Sequence, residues 1–352
     1  MRDPFFIPPI PALSKAVEPW AEKYSLPTLP LHVHEVLAAA LLYTFIQLVV
    51  SPWASKKYFP AYYPKSRGKK ANWDAHVVSL VQSVLINIMS LWVMCVDEER
   101  KQMDWQERIW GYTGAAGLVQ AFAAGYFVWD LITTLVYIDV FGVGLLAHAV
   151  SALVVYLIGF RPFLNYYGCV FILYELSTPF LNIHWFFDKL GMTGSKAQLY
   201  NGLCLLFTFF SARLVYGVYQ SGWVYVDMWR AIHSSPASEY MSSTVADETL
   251  PGTEDIMAFS KEAPPLPVWL AGTYVASNIV LNSLNFHWYF KMIKAVRKRF
   301  EPAKEDVKEK VEGAGRGTST QFEKFEKAAQ SLRRRSISEI DIEIDDDLGD
   351  MQ

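Results

Sequence analysis

The chain has 352 residues, of which 52% are hydrophobic and 15% aromatic, and its formal net charge at pH 7 is -3. Ordinary soluble domains have a smaller apolar share, so the composition excludes that class. The sequence also shows no basic and aromatic surface of the kind that binds nucleic acid. It predicts a polytopic membrane protein.

Seven apolar segments qualify as candidate membrane spans, because about 20 apolar residues cross a hydrocarbon layer of roughly 30 Å as a helix. They cover residues 36–50, 77–96, 109–129, 140–160, 166–187, 199–219 and 268–293. The first is short and the third to fifth are closely spaced, so six or eight spans also fit the sequence. The predicted fold class is an all-α polytopic helical bundle around a central polar cavity.

Lysine and arginine collect on one side of these predicted spans. They are frequent in residues 56–70, occur again at Lys189 and Lys196, and follow the last span in residues 291–299, whereas the loop 227–262 is acidic. Short basic loops stay on the cytoplasmic side of a membrane. The pattern therefore predicts an odd number of spans, with a lumenal N-terminus and a cytosolic C-terminus.

The composition changes along the chain and predicts three regions. Residues 1–71 hold the N-terminal segment, the first span and a basic cytosolic loop; residues 72–295 form a transmembrane domain with a lumenal insertion at 221–267; residues 296–352 form a charged cytosolic tail. Such a tail cannot bury enough apolar surface to fold, so we predict that it is disordered.

Two serines in this tail follow a run of arginines. Residues 333–335 are all arginine and immediately precede Ser336 and Ser338. Basophilic kinases favour this pattern, and a phosphate there would weaken attraction of the tail to anionic lipid. The alternative is a solvated charge run with no regulatory role.

Glu175 lies in the fifth predicted span, in the charged and proline-bearing segment 175–182. An ionisable side chain at membrane depth is expensive to bury and marks a candidate functional site. Arg161 or Arg213 would serve as its counter-ion, because pairing lowers the cost of burial. Pro179 removes one backbone donor, so we expect the helix to bend or break near Glu175.

Other polar side chains recur at helical spacing within the spans. Asp130 closes the third span, His148 lies in the fourth, Asn182 shares a helix face with Glu175, and Asn201 lies in the sixth. The last span carries asparagines at positions 278, 282 and 285. We predict that these faces line one cavity and that Asp130, His148, Glu175, Asn182 and Asn201 contact lipid.

Each of these residues also has a purely structural interpretation. Asparagine stripes in membrane helices usually serve interhelical hydrogen bonds. His148 could be an ordinary packing residue, and Asp130 stands close enough to a helix end to meet water. The sequence leaves these alternatives open.

No metal site, cofactor or nucleic-acid partner is predicted. The spans contain no pair of histidines at metal or haem spacing, and no glycine-rich phosphate loop precedes a helix. His32 and His34 flank the start of the first span. We expect them to be wet interface residues rather than ligands.

Two segments of the sequence resemble the TLC-domain family, which groups TRAM proteins, Lag-type ceramide synthases and smaller endoplasmic reticulum (ER) proteins linked to lipid homeostasis. They are GYFVWDL at 125–131 and ELSTPFLNIHWFF at 175–187, with His148 between them. The resemblance covers residues 73–294 and implies about six helices around a central cavity, in the ER membrane.

The sequence departs from the ceramide synthases of that family. Those enzymes carry a paired histidine and a later pair of aspartates, whereas here Ala147 precedes His148, and Glu175 to Thr178 stand where the aspartate pair is expected. A histidine common near the start of related small proteins corresponds to Gln82. The resemblance therefore favours the smaller, non-synthase branch.

The sequence leads to one expected function and two alternatives. The expected function is to bind or sense membrane lipid and contribute to lipid homeostasis. The first alternative is N-acyl transfer from acyl-CoA to a sphingoid base with His148 as the base, which the missing second histidine makes less favourable. The second is a trafficking or structural adaptor that binds a cytosolic partner through its tail.

Overall fold

A computed structural model describes residues 1–233, 256–260 and 266–300. These residues form helices, and no β-strand occurs among them, so the predicted all-α class is confirmed. Ser336, Ser338 and the tail beyond Phe300 lie outside the described residues. The last helix extends to Phe300, five residues past the predicted domain boundary.

The helices follow one another with short connections. They are α1 (Pro11–Tyr24), α2 (Leu29–Phe45), α3 (Ser51–Tyr58), α4 (Arg67–Val96), α5 (Glu98–Lys101), α6 (Trp105–Trp110), α7 (Gly114–Val136), α8 (Ile138–Ile158), α9 (Asn165–Phe171), α10 (Thr178–Lys189), α11 (Lys196–Thr208), α12 (Gly217–His233) and α13 (Val268–Phe300). Three segments with non-α helical turns join neighbouring α-helices without a break. They are a π turn at Ile46–Val50, a 3₁₀ turn at Ile172–Ser177 and a π turn at Phe209–Tyr216.

Five helical segments are long and apolar enough to cross a membrane within the part of the chain that the structure describes. They are Leu29–Tyr58, Arg67–Val96, Trp105–Val136, Ile138–Ile158 and Lys196–His233. The count is therefore five rather than the predicted seven. Residues 166–187 are divided among three short helical pieces, and the asparagines and basic residues of α13 lower its apolarity.

The segment from α9 to α10 nevertheless runs antiparallel along α4. At one end the Ser90 hydroxyl donates to the Cys169 carbonyl at 2.7 Å, and at the other the Trp73 and Trp185 rings lie 5.7 Å apart. These contacts span 16 residues, or about 24 Å of helix. The segment therefore follows α4 through most of its depth, with its polar residues turned toward other helices.

Helix α7 is the most buried segment and packs in parallel against α2. It is rich in small residues, which let helix backbones approach closely. A side chain at Gly125 would lie 2.5 Å from the Val36 carbonyl oxygen, and further along the Trp129 indole donates to Gln47 at 3.0 Å. The close approach of α2 to α7 therefore depends on glycine at this crossing.

The N-terminal segment covers the start of α2. His34 pairs through Nε2 with the Ile7 carbonyl at 2.9 Å, and its ring lies 5.6 Å from that of Phe5. His32 and His34 are 1% and 5% exposed. The expectation of a wet interface pair was wrong, because the covering segment precedes the span and makes contacts that sequence spacing does not reveal.

Helix α12 continues through the start of the predicted insertion 221–267. Within it Asp227 is fully buried, accepts two hydrogen bonds from the Arg108 guanidinium at 2.9 and 3.2 Å, and accepts another from Tyr167 at 2.7 Å. Residues 221–233 are therefore part of the bundle rather than of an insertion. The remainder of that stretch is described only at 256–260 and 266–267.

The two ends of the bundle differ in charge. Lysines and arginines collect at residues 56–70, at the facing ends of α10 and α11 and in the last turns of α13. At the opposite end, α5, α6 and the residues before them carry several acidic side chains. At the basic end, Tyr63 donates to Asp74 at 3.0 Å. Burial raises the pKa of Tyr63 above its ordinary value, and the Asp74 carboxylate adds to that rise.

Candidate functional site

A buried arginine occupies the middle of the bundle. Arg213 lies on the π turn between α11 and α12 and is 4% exposed. Its guanidinium donates to the Tyr174 carbonyl at 2.7 Å, to Asn285 Oδ1 at 3.0 Å and to Thr178 Oγ1 at 2.9 Å. These bonds join three helical segments and fix the guanidinium in place.

Glu175 faces this arginine from the 3₁₀ turn. Its Oε1 lies 3.7 Å from Arg213 Nη2, close enough for an ion pair and longer than a hydrogen bond. The pair offsets part of the free-energy cost of burying both charges. Because Arg213 directs its shorter bonds elsewhere, the Glu175 carboxylate keeps most of its acceptor capacity.

Of the two predicted counter-ions, only Arg213 lies beside Glu175. The guanidinium of Arg161 lies 5.7 Å from the centre of the Trp269 ring, near the end of the bundle where α8 finishes and α13 begins. Arg161 therefore contributes a cation–π contact there instead.

Asn182 connects α10 to α4. Its Oδ1 pairs with His76 Nδ1 at 2.8 Å, and its Nδ2 donates to Ser79 Oγ and to the Thr178 carbonyl, both at 3.0 Å. The His76 ring stacks on Trp185 at 3.8 Å between centroids. Thr178 accepts a hydrogen bond from Arg213 and another from Asn182, so Asn182 connects Arg213 to the polar face of α4.

Asp130 lies on the other side of Ser79, in a crevice between α4, α7 and α8. The enclosed part of this crevice has a volume of about 10 Å³, which is room for one water-sized group. Its lining residues are Ala75, Ser79, Tyr126, Trp129, Asp130, Thr133, Thr134, Phe141 and Leu145. Tyr126 interacts with Ser79, and Asp130 is near enough to Glu175 to interact electrostatically. This space admits one hydroxyl- or ammonium-sized group and is too small for a whole lipid.

His148, on α8, lies near the Glu175–Arg213 pair. Its ring lies 5.6 Å from that of Trp288 and 6.2 Å from that of Phe127, and it is within electrostatic range of Arg213. Ala147 is exposed on another face of α8. The position before His148 therefore points away from the cluster.

Several buried polar atoms around this network have no hydrogen-bond partner among the described residues. They are His148 Nδ1, Asn285 Nδ2, His76 Nε2, the Tyr43 hydroxyl and both amide atoms of Gln82. Buried polar atoms are nearly always paired in folded proteins, because an unmade bond costs roughly 1–3 kcal/mol. Ordered water or a polar ligand beside the network would satisfy such atoms, although none of these residues lines the crevice itself.

The structure brings together Asp130, His148, Glu175, Asn182 and Arg213. Asn201 lies apart, since its amide donates to the Phe180 carbonyl at 2.8 Å on the α10–α11 contact. Sequence reasoning did not single out His76, Ser79, Tyr126 and Thr178. For α4 the available signal was the spacing of His76, Ser79 and Gln82, which places them on one helix face.

The sequence of this chain is similar to known proteins over the whole site. The model of the TLC-domain family matches residues 72–294. An uncharacterised TLC domain-containing protein of Schizosaccharomyces pombe is 37% identical over 288 residues, which cover 82% of this chain and 87% of that protein. Topoisomerase I damage affected protein 4 of Saccharomyces cerevisiae is 28% identical, over 77% of this chain and 87% of its own. Human TLC domain-containing protein 4 is 30% identical, over 70% and 81% respectively.

Proposed function

Because the chain belongs to the TLC-domain family, outside its ceramide synthases, we propose that it binds or senses membrane lipid in the crevice beside Glu175 and Arg213. We further propose that it acts in the ER membrane and contributes to lipid homeostasis there. The observation that carries the proposal is the buried Glu175–Arg213 pair, surrounded by polar atoms that no described residue bonds.

The charges around the crevice favour a headgroup that donates hydrogen bonds. Glu175 faces the Arg213 guanidinium, and Asp130 lies close enough to Glu175 to interact with it electrostatically. Arg213 is already bonded to Tyr174, Thr178 and Asn285. A phosphate would meet repulsion from both carboxylates, whereas a hydroxyl or ammonium group would be attracted to them. The proposed ligand is therefore a lipid with a hydroxyl- or amine-bearing headgroup.

The position of the crevice suggests how such a lipid enters. Asp130 is six residues before the end of α7, or about 9 Å from the basic end of the bundle. The enclosed space admits only one hydroxyl- or ammonium-sized group, so the rest of the headgroup and the hydrocarbon chains would remain along the outer faces of the helices. Lipid would then come from the membrane leaflet at the basic end, which we propose is the cytosolic leaflet.

Mass spectrometry of lipids that co-purify with the full chain in mild detergent tests this function. Wild type should retain a lipid class at close to one molecule per chain. Glu175→Leu with Arg213→Met should lose most of it, because this double substitution removes both charges without leaving one unpaired. Asp139→Asn is the matched control, since Asp139 is an exposed carboxylate on α8.

Two results would count against the proposal. In the first, the wild-type protein retains no more lipid than an unrelated helical membrane protein purified in the same detergent. The other is a folded double variant that keeps the wild-type lipid. Thermal unfolding of both proteins would establish that the variant is folded.

One observation favours an enzymatic function as the second candidate. His148 lies beside the cluster with a buried Nδ1 that no described residue bonds, as a general base requires. Incubation with acyl-CoA and a sphingoid base would yield an N-acyl product if the chain is an N-acyltransferase, and His148→Ala would abolish it. We expect no product.

A further inference from the structure

Three potential metal ligands converge where the N-terminal segment covers the start of α2. Glu35 Oε2 lies 2.7 Å from His32 Nδ1, and Asp3 Oδ2 lies 3.5 Å from the same nitrogen. One ligand atom from each residue lies within 4.8 Å of the others. Ligands bound at about 2.0–2.2 Å around one ion stand roughly 3–3.5 Å apart, so these atoms need only small shifts.

The two carboxylates are close together with little to neutralise them. Glu35 is fully buried, and its carboxylate interacts with that of Asp3. In the described part of the chain, the ion-pair partners of Glu35 are His32 and His34, and its Oε1 accepts no hydrogen bond. A fully buried carboxylate this close to a second, half-buried one is stabilised by a shared proton or a bound cation.

His32 is held in the orientation that a metal ligand needs. Its Nε2 is hydrogen bonded to the Tyr112 hydroxyl at 2.5 Å, which leaves Nδ1 directed at the two carboxylates. The ring rests on Gly117, where a Cβ would lie 2.4 Å from Nε2. Metal-binding histidines commonly use the second ring nitrogen for such a bond, which fixes the ring and its tautomer.

We propose that Asp3, His32 and Glu35 form a binding site for a divalent transition-metal ion, with zinc as the representative ion. One imidazole nitrogen and two carboxylate oxygens suit Zn²⁺ and Mn²⁺, and a fourth position is left for water. The ion would neutralise the two carboxylates and engage Glu35 Oε1. It would also tie the N-terminal segment to α2.

This site is separate from the lipid crevice. Gly117, beneath His32, is 13 residues before Asp130 on α7, which corresponds to about 20 Å along the helix. The metal site lies at the acidic end of the bundle and the crevice toward the basic end. The two proposals can therefore fail independently.

Metal binding is best measured on untagged full-length protein in detergent, because a polyhistidine tag binds the same ions. After treatment with chelator and dialysis against Zn²⁺ or Mn²⁺, elemental analysis should give about one ion per wild-type chain. Calorimetric titration should show at least a tenfold loss of affinity in Asp3→Asn and in Glu35→Gln. Glu18→Gln, an exposed carboxylate on α1, is the matched control and should bind as wild type does.

Tyr112→Phe tests the support of His32 rather than a ligand. It removes only the hydroxyl bonded to Nε2, so the affinity should fall about tenfold while about one ion per chain still binds at saturation. Cobalt supplies a second measurement, since Co²⁺ at three such ligands gives visible absorption bands. His32→Gln should remove those bands.

The proposal would be overturned by wild-type protein that is folded but binds less than a stoichiometric amount of either ion. It would also be overturned if Asp3→Asn and Glu35→Gln retained wild-type affinity, since the carboxylates would then share a proton instead. Should Glu35→Gln fail to fold, Asp3→Asn decides the matter, because Asp3 is only half-buried.

Discussion

At the scale of single residues, the Arg213 guanidinium donates four hydrogen bonds around the Glu175–Arg213 pair. Its guanidinium uses a planar fork of donors to bond Tyr174, Thr178 and Asn285 while it faces Glu175. Lysine would preserve the charge and lose the fork. Replacing Arg213 with lysine therefore separates the effect of its charge from the effect of its hydrogen-bond geometry.

Arg213→Lys should lower the free energy of unfolding by about 2–4 kcal/mol, because at least two hydrogen bonds from a charged group are lost in a buried place. Arg161→Lys is the matched control, since Arg161 contributes a cation–π contact and should change stability by about 1 kcal/mol or less. Thermal and denaturant unfolding in detergent would measure both. Equal effects from the two substitutions would argue that Arg213 is not the organising side chain.

Gly117 offers a second test at this scale. Gly117→Ala would force a methyl group against His32 and should destabilise the protein by about 1–3 kcal/mol. Gly144→Ala, in α8, meets nothing within 4 Å and should be neutral or slightly stabilising. Unfolding midpoints of the two variants would show whether α2 packs against α7 this closely.

At the scale of helices, two irregular turns place the opposed charges. Glu175 stands on a 3₁₀ turn and Arg213 on a π turn. Such turns change the direction of successive side chains within a continuous helical segment, and they are frequent at functional sites. Pro179 follows the 3₁₀ turn as the second residue of α10, where its missing backbone donor is tolerated.

The asparagine stripe of α13 supplies a prediction at the same scale. Asn282 accepts from the Tyr174 hydroxyl at 2.9 Å and donates to Ser221 at 3.1 Å. Asn282→Leu should cost about 0.6–1.7 kcal/mol, the range for polar contacts between membrane helices. Ser283→Leu, on the exposed face of α13, should cost less, and a larger effect there than at Asn282 would contradict the packing described here.

The sequence predicted the helical class and most of the central polar residues, because charge and amide groups within apolar segments stand out against their neighbours. It did not predict that Asn201 faces away, since helical spacing defines a face and not the helix that the face meets. His76 and Ser79 were missed because their importance comes from Asn182 on a distant segment. The buried state of His32 depends in the same way on residues 1–10.

At the scale of the whole molecule, the charge difference between the two ends predicts how the protein sits in a membrane. Lys65 is exposed in the basic connection between α3 and α4, and Gln102 is exposed near the acidic end. Basic loops remain cytosolic, so the two positions should lie on opposite sides of the membrane.

Single cysteines at Lys65 and Gln102 would test this orientation in a background without Cys95, Cys169 and Cys204. In sealed ER vesicles with the cytosolic face outward, an impermeant maleimide should label Lys65→Cys directly. Gln102→Cys should react only after the membrane is permeabilised. The reverse pattern would contradict the proposed topology, and labelling of both positions would contradict an odd number of crossings between them.

The most direct test of lipid binding is to locate the lipid on the chain. A photoactivatable lipid with a reactive group close to a hydroxyl- or amine-bearing headgroup would be added to membranes that contain the full-length protein. After illumination, peptide mass spectrometry should find adducts in the segment 126–134, which includes the α7 residues that line the crevice, and the Glu175→Leu with Arg213→Met variant should lose them. Adducts confined to outward-facing residues such as Val143 and Phe207, and unchanged in the variant, would contradict the account.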